Sequence, residues 1–524
     1  VSGLLVVKDY GVAWDEPIQR WIGNLMYGYV AEGDTSILNS PGKHYGTAFE
    51  LPLIAGERAL NFTDTRHIYI YRHTVTFIFF YIGVFFFYLL SKYHFKSWKI
   101  GLLASLFLVL SPRVFAHSFY NTKDLAFLSM FIIAVYCMVR FFGEKTFLRA
   151  GLHAFTSALL IDMRIVGILV PAMTFFFMIS ELIAERKNKP EVIKLCGKTA
   201  LYAITLVFLT VLFWPFLWDA PVIKFIEAVK SMSRYVAWDG TMLYMGEYVR
   251  ATQLPWHYAP VWIAISTPIV YLCCFFAGIL TILTMALKNP FKFIYEKRNE
   301  TIYLIWFFAP LVMVILLKSV LYDAWRHLYF IYPAMLMIGL VGLVRVFKII
   351  EKLPKAVYYT VGVAIVIAIS VNLYDISVFM VRNHPHQDVY FNKFAGRDMK
   401  EIKNNYELDY WGVSYREALE YILANDKRDV IKIIAANDPG NYNAMILPQK
   451  ERERLIFTKD PAQADYFLTN YRWHKDEYSD KEVEDVYSIK VGNAKIMGVY
   501  KIKKQAIQPQ EETPVVQPTV EANE

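Results

Sequence analysis

The sequence predicts an all-α polytopic membrane protein that carries a small soluble α/β domain at its C-terminal end. Three observations predict it. Apolar residues are bunched into runs, most of them long enough to cross a ~30 Å hydrocarbon core. Lys and Arg gather in short clusters between those runs. After about residue 382 the long runs stop, and shorter strand-like and helix-like stretches replace them. Bulk composition agrees, with 56% of 524 residues hydrophobic, 16% aromatic and 19% charged; soluble domains rarely combine so many rings with so few charges. A net charge of +8 would suit nucleic acid, but its placement between apolar runs argues for a membrane topology signal and no nucleic-acid partner. Cys137, Cys196, Cys273 and Cys274 lie in or beside the runs without metal-ligand spacing, and read as buried thiols.

In chain order, Val1–Val7 reads as the outer end of a trimmed first helix, with a removed signal peptide as the other explanation. Candidate spans follow at 68–90, 100–116, 124–142, 150–161, 165–184, 199–218, 259–287, 301–320, 328–344 and 356–377, about ten in all. Five intervening loops are basic, including Lys92 to Lys99, Arg140 to Arg149, Arg186 to Lys198, Lys288 to Arg298 and Arg345 to Lys355. The positive-inside rule puts all five in the cytoplasm. That constraint divides Ala150–Ser180, because a single crossing would carry the Arg186–Lys198 cluster outside. At 1.5 Å per residue its roughly 31 residues give two legs of about 23 Å, short of the core. Asp162 and Arg164 then sit at the tip of a short hairpin, below the surface, where ionisable groups face cavities. The plainer alternative is an Asp–Arg pair that neutralises itself.

The same parity places 8–67, 117–123, 219–258, 321–327 and everything after about 378 outside. The domains expected are a membrane module over 1–382 with a first outer loop at 8–67, a soluble extracytoplasmic α/β domain over 383–503, and a disordered tail over 504–524. Within the soluble part a helix is expected at Tyr415–Ala424, strands at Val430–Ala435 and Tyr466–Thr469, and a closing hairpin around Val491-Gly-Asn. No internal repeat is visible.

The outward turns hold the unusual polar residues. In the first, Asp15 and Glu16 precede the amphipathic segment Pro17–Val30, and Pro17 suits a first helical turn with acids at its positive end. They could be a surface cap or a positioned general base. In the second, Asn121, Lys123 and Asp124 top the next span, Asp124 being suited to cap it. In the last, Arg326 and His327 begin another span, as snorkelling interfacial groups or as ligands of an anion. Asp15, Asp124, Arg164 and Arg326 all map to helix ends on one side, where cations could hold a lipid phosphate and carboxylates could take a proton.

The Trp14-Asp-Glu segment, Ser111-Pro-Arg with Asn121-Thr-Lys-Asp, Leu254-Pro-Trp-His-Tyr-Ala-Pro with Ser266-Thr-Pro, and Arg326-His-Leu-Tyr-Phe-Ile-Tyr-Pro333 together resemble the GT-C glycosyltransferases, in the pattern of the bacterial protein O-mannosyltransferase and aminoarabinose-transferase group. The resemblance covers roughly 8–345. His384-Pro-His-Gln-Asp-Val-Tyr-Phe-Asn392 and Asp409-Tyr-Trp-Gly412 look like a motif of uncharacterised bacterial members, or a seam docking the outer domain. The resemblance implies a GT-C-like fold and transfer of a hexosyl or pentosyl group from a polyprenyl-phosphate sugar to a protein, lipid or glycan acceptor, with inversion. By position, Asp15 would be the general base and Glu16 its support. Lys123, Arg164, Arg326 and His327 would hold the donor phosphate, and Asp124 would orient acceptor or metal. Asn121, Asp162, His257 and Tyr258 would line the acceptor pocket. A divalent cation is compatible but not required, since Lys and Arg can hold a monophosphate and no Asp-X-Asp stands in the outer turns. The bacterial inner membrane is the expected location. A flippase or transporter without transferase chemistry, and a structural subunit of an envelope assembly, are the competing classes.

Overall fold

Asp64, Ser97 and Thr146 each stand just ahead of a membrane helix and accept a backbone N–H from its first turn, at Arg66, Ile100 and Arg149. Capping of this kind starts helices where the apolar periodicity alone is ambiguous. The computed structural model describes residues 2–233, 238–288, 290–478 and 483–503; the tail expected at 504–524 lies outside the described residues. Among them, eight helices are long and apolar enough to cross a membrane, or nine if one bent pair is a single span. The bent pair is Trp98–Val109 with Pro112–Tyr120, turned by 70°. Pro112 lacks the N–H that would continue the helix and pushes Ser111 into an extended conformation, so the break falls between them.

Of the ten segments expected, the one absent from that tally is Phe147–Met163, whose 17 residues reach only about 26 Å. It is one leg of the hairpin. Arg164 is extended (φ −155°, ψ 133°), and the chain returns through Ile165–Ala184. His153 on the first leg meets Thr174 on the second at 2.8 Å. These residues lie eleven and ten positions from Arg164, so the legs run antiparallel.

Side-chain pairings sort the ends of the long helices into two groups. One end of the bundle collects the helices Glu16–Tyr27 and Glu50–Ala59, the hairpin β1 (Thr241–Tyr244) and β2 (Glu247–Arg250), the turn before Tyr332–Ile350, and the chain beyond Arg382. At the opposite end lie the basic loops, where Arg298 and Lys145 both pair with Glu181.

The C-terminal part forms a five-stranded sheet from β3 (Ile431–Ala435), β4 (Leu455–Phe457), β5 (Tyr466–Thr469), β6 (Val483–Val491) and β7 (Ala494–Ile502), in the order β4-β3-β5-β7-β6. β4, β3 and β5 are parallel, whereas β5-β7-β6 is antiparallel. The helix Tyr415–Asn425 packs beside it. Gly492, at φ 58°, supplies the left-handed residue of the tight β6–β7 turn. The sheet does not stand apart: Tyr410, Trp411 and Val413 belong to the same apolar core as the membrane helices.

Candidate active site

Asp15 stands immediately before the helix Glu16–Tyr27, and its side chain makes no cap hydrogen bond. The carboxylate is therefore open to a partner from elsewhere, and Arg326 Nη2 lies 3.3 Å away. Arg326 is enclosed. Its Nη1 donates to Asp124 at 2.9 Å, and Nε and Nη2 reach Asp323 at 3.3 and 3.2 Å. The rings of Trp411 and Tyr322 cover its faces at 4.7 and 4.8 Å. Asp124 is equally enclosed, with its second oxygen on Arg164. Four helix tips thus meet through ion pairs, and three carboxylates surround one guanidinium.

Asn121 fixes this arrangement locally. Its carbonyl oxygen accepts the N–H of Asp124 at 2.7 Å, and its amide donates to the Asp124 carboxylate at 3.1 Å. Asn121, not Asp124, makes the capping bonds at the start of Asp124–Gly143, which frees the Asp124 side chain for the two arginines.

The hairpin tip resolves differently from its self-neutralising alternative. Arg164 pairs with Asp124. Asp162 instead accepts the backbone N–H of Ala48, and Gly46 lies so close that any Cβ would overlap the Asp162 carbonyl oxygen. The segment 42–48 is thereby fastened over the tip, with the Tyr45 ring 3.8 Å from the Lys123 ammonium. Lys123 borders a hollow of about 30 Å³ with Gln19, Tyr45, Gly46 and Met163. It forms no ion pair with a described residue, so the site's surplus positive charge resides there.

The remaining expected residues divide. Glu16 is buried away from solvent, accepting from the Ala13 N–H at 2.8 Å and meeting His73 at 3.0 Å; its contacts hold the loop against the helix Thr65–Phe95. His327 adjoins the cluster, its ring 4.6 Å from that of Tyr322. His257 bonds the Tyr244 hydroxyl at 2.7 Å, and Tyr258 packs on Tyr244 and Trp262. No described contact joins these two to Arg326; Tyr258 instead borders a separate hollow of about 350 Å³ with Leu254, Trp256 and Lys318.

Sequence reasoning missed three contributors. Asp323 binds Arg326 on one oxygen and Arg472 on the other, at 2.7 Å. Asp323 and Ala324 are both left-handed, at φ 57° and 61°, a costly conformation for alanine that needs holding in place. Arg472 comes from the C-terminal sheet region and lies between the rings of Trp14 and Trp473, 4.9 and 4.8 Å away. Trp411, in the Asp-Tyr-Trp-Gly segment, donates to Asp323 at 3.0 Å. Its tandem of aromatic residues was the one available signal. Among the described residues no three His, Cys, Asp or Glu side chains are grouped to hold a metal ion.

No family model matches the chain, and no curated protein matches it. Among solved structures it is similar to ArnT from Cupriavidus metallidurans bound to undecaprenyl phosphate, with 13% identity over 97% of this chain and 98% of that one and a TM-score of 0.45. The apo state of the same ArnT gives 12%, 97% of each chain and 0.46. The Archaeoglobus fulgidus oligosaccharyltransferase in its apo form gives 14%, 87% of this chain, 62% of that chain and 0.46.

Proposed function

We propose that the chain is a membrane glycosyltransferase that moves a sugar from a polyprenyl-phosphate donor to an acceptor hydroxyl. What supports this is the unequal exposure of three carboxylates around one buried guanidinium. Asp124 and Asp323 are shut in, whereas the Asp15 side chain keeps 25% of its surface open. Asp15 is then the carboxylate an acceptor can reach, and the other two hold arginines in place.

In this scheme Asp15 takes the proton of the acceptor hydroxyl as its oxygen attacks the anomeric carbon. The new C–O bond forms on one face while the bond to the phosphate oxygen breaks on the other, inverting that carbon. The departing polyprenyl phosphate takes the electron pair, and Lys123 and Arg164 meet its growing negative charge in a dry setting. A divalent cation is compatible with this chemistry but is not called for by it. The hollow beside Lys123 is too small for a sugar, so the segment 42–48 must lift from the hairpin tip to admit the donor. Because the basic loops lie at the opposite end of the bundle, the reaction belongs to the extracytoplasmic face, in a bacterial inner membrane.

The test uses purified protein with polyprenyl-phosphate mannose and polyprenyl-phosphate aminoarabinose as donors. Asp15→Asn is expected to lower transfer 10²- to 10⁴-fold while donor lipid still co-purifies. Transfer unchanged in Asp15→Asn removes Asp15 from the chemistry. Donor translocation without transfer in the native chain would identify a flippase instead.

A further inference from the structure

At the basic end of the bundle the helix Lys355–Arg382 stands off from its neighbours. Its buried residues are Gly362, Ile369, Ile376 and Met380, the first three spaced by seven, so it touches the bundle along a thin seam. Between it, Tyr332–Ile350 and the junction of Thr65–Phe95 with Trp98–Val109 lies a cleft of about 1060 Å³. The lining extends along Lys355–Arg382 from Tyr358 to Leu373, about 22 Å of helix. That matches one leaflet of a bilayer with its headgroups, roughly 20–22 Å.

The wall of the cleft is apolar, with Leu103, Phe347, Val366 and Leu373. Its mouth lies at helix ends and carries Lys96, Lys297, Arg345 and Lys348, against only two carboxylates, Glu300 and Glu351. All four cations are exposed, and none forms an ion pair with a described residue. We infer that the cleft holds a phospholipid with an anionic headgroup, its chains against Val366 and Leu373 and its phosphate on Arg345 and Lys348. An apolar slot this long suits acyl chains, and unpaired cations at the interface select the acidic headgroup over a zwitterionic one. The site lies at the far end of the bundle from Asp15, and does not depend on the transferase chemistry.

The experiment uses the full chain, delipidated in neutral detergent, and titrates phosphatidylglycerol against phosphatidylcholine of the same chains, read by native mass spectrometry and Tm. One phosphatidylglycerol per chain should be retained and should raise Tm, with phosphatidylcholine doing neither. The double variant Arg345→Gln/Lys348→Gln should bind phosphatidylglycerol about thirtyfold more weakly. Lys187→Gln/Lys189→Gln, which removes two exposed cations at the same end, should bind as the native chain does. Val366→Trp, at an exposed position, narrows the slot where the chains lie with the charges intact and should weaken retention of phosphatidylglycerol; it decides the matter if the Gln pair fails to fold. Equal responses to the two lipids overturn the proposal, as does phosphatidylglycerol binding as tight in Val366→Trp as in the native chain.

Discussion

Glu407 is buried beside Arg472 and Asp323, outside the membrane helices, and one of its carboxylate oxygens has no hydrogen-bond partner. Burial pushes its carboxyl up to about 7, with Asp323 adding to the rise and Arg472 opposing it. The sign of the consequence follows from linkage. In the unfolded chain this group ionises near the ordinary glutamate value of 4.5, so between there and about pH 7 the unfolded state sheds a proton that the folded state keeps. Stability should fall as pH rises through that window. Glu407→Gln mimics the neutral form, and should raise Tm at pH 8 by the equivalent of about 3 kcal/mol, while leaving Tm at pH 4 nearly unchanged. A Tm that shifts equally at both pH values would show that the carboxyl is not titrating. Exposure also separates Asp15 from its neighbours: all three acids touch Arg326, and Asp15 alone of the three keeps a quarter of its side-chain surface open.

Among the elements, the hairpin tip and the segment over it act as a pair. Gly46 permits an approach that no other residue could make, and Asp162 secures it through the Ala48 N–H. Gly46→Ala should therefore displace the segment, because a backbone carbonyl cannot give way as a flexible side chain can. We expect a Tm loss equivalent to about 1–3 kcal/mol and faster proteolytic cleavage within 42–48. Gly151→Ala is the contrast: it lies in the helix Phe147–Met163 with nothing within 4 Å of the added methyl, and should be neutral or stabilising by up to ~1 kcal/mol. If both substitutions behave alike, the close approach at Gly46 does not hold the segment down. The hairpin itself was legible in the sequence, since charge parity required two crossings and the apolar length allowed only short ones. The segment above it was not, because residues 42–48 carry no apolar periodicity and their one charge, Lys43, pairs with Glu227 and not with the tip.

At the scale of the whole molecule, the chain beyond Arg382 is part of the site. Trp411 and Arg472 reach Asp323, the Trp14 N–H donates to the Trp411 carbonyl at 3.2 Å, and Arg113 donates to the Tyr390 carbonyl at 2.9 Å. The C-terminal unit thus buttresses Trp14, next to Asp15, and Asp323, the partner of Arg326. Removing one member of a buried ion pair is costly, about 3–5 kcal/mol. Arg472→Ala should lower Tm accordingly and reduce transfer at least tenfold. Arg472→Lys, which keeps the charge but not the planar fork, should recover Tm more than transfer. A variant that keeps full transfer despite a lowered Tm would confine Arg472 to stability.

What the sequence determined by itself was the set of helices and the residues at their tips. Apolar run length and the bias of Lys and Arg are local properties, read a few residues at a time. The tail strands β3 and β5 and the Val491-Gly-Asn turn were legible for the same reason, whereas the three-residue β4 was too short to leave a pattern. Only the tertiary structure decided which charges meet. Arg164 chose Asp124, 40 positions away, over Asp162, two away; Arg326 chose the same Asp124 across 202 positions. Partner choice among ionisable groups depends on distance through space and on shared burial, and helix packing sets both.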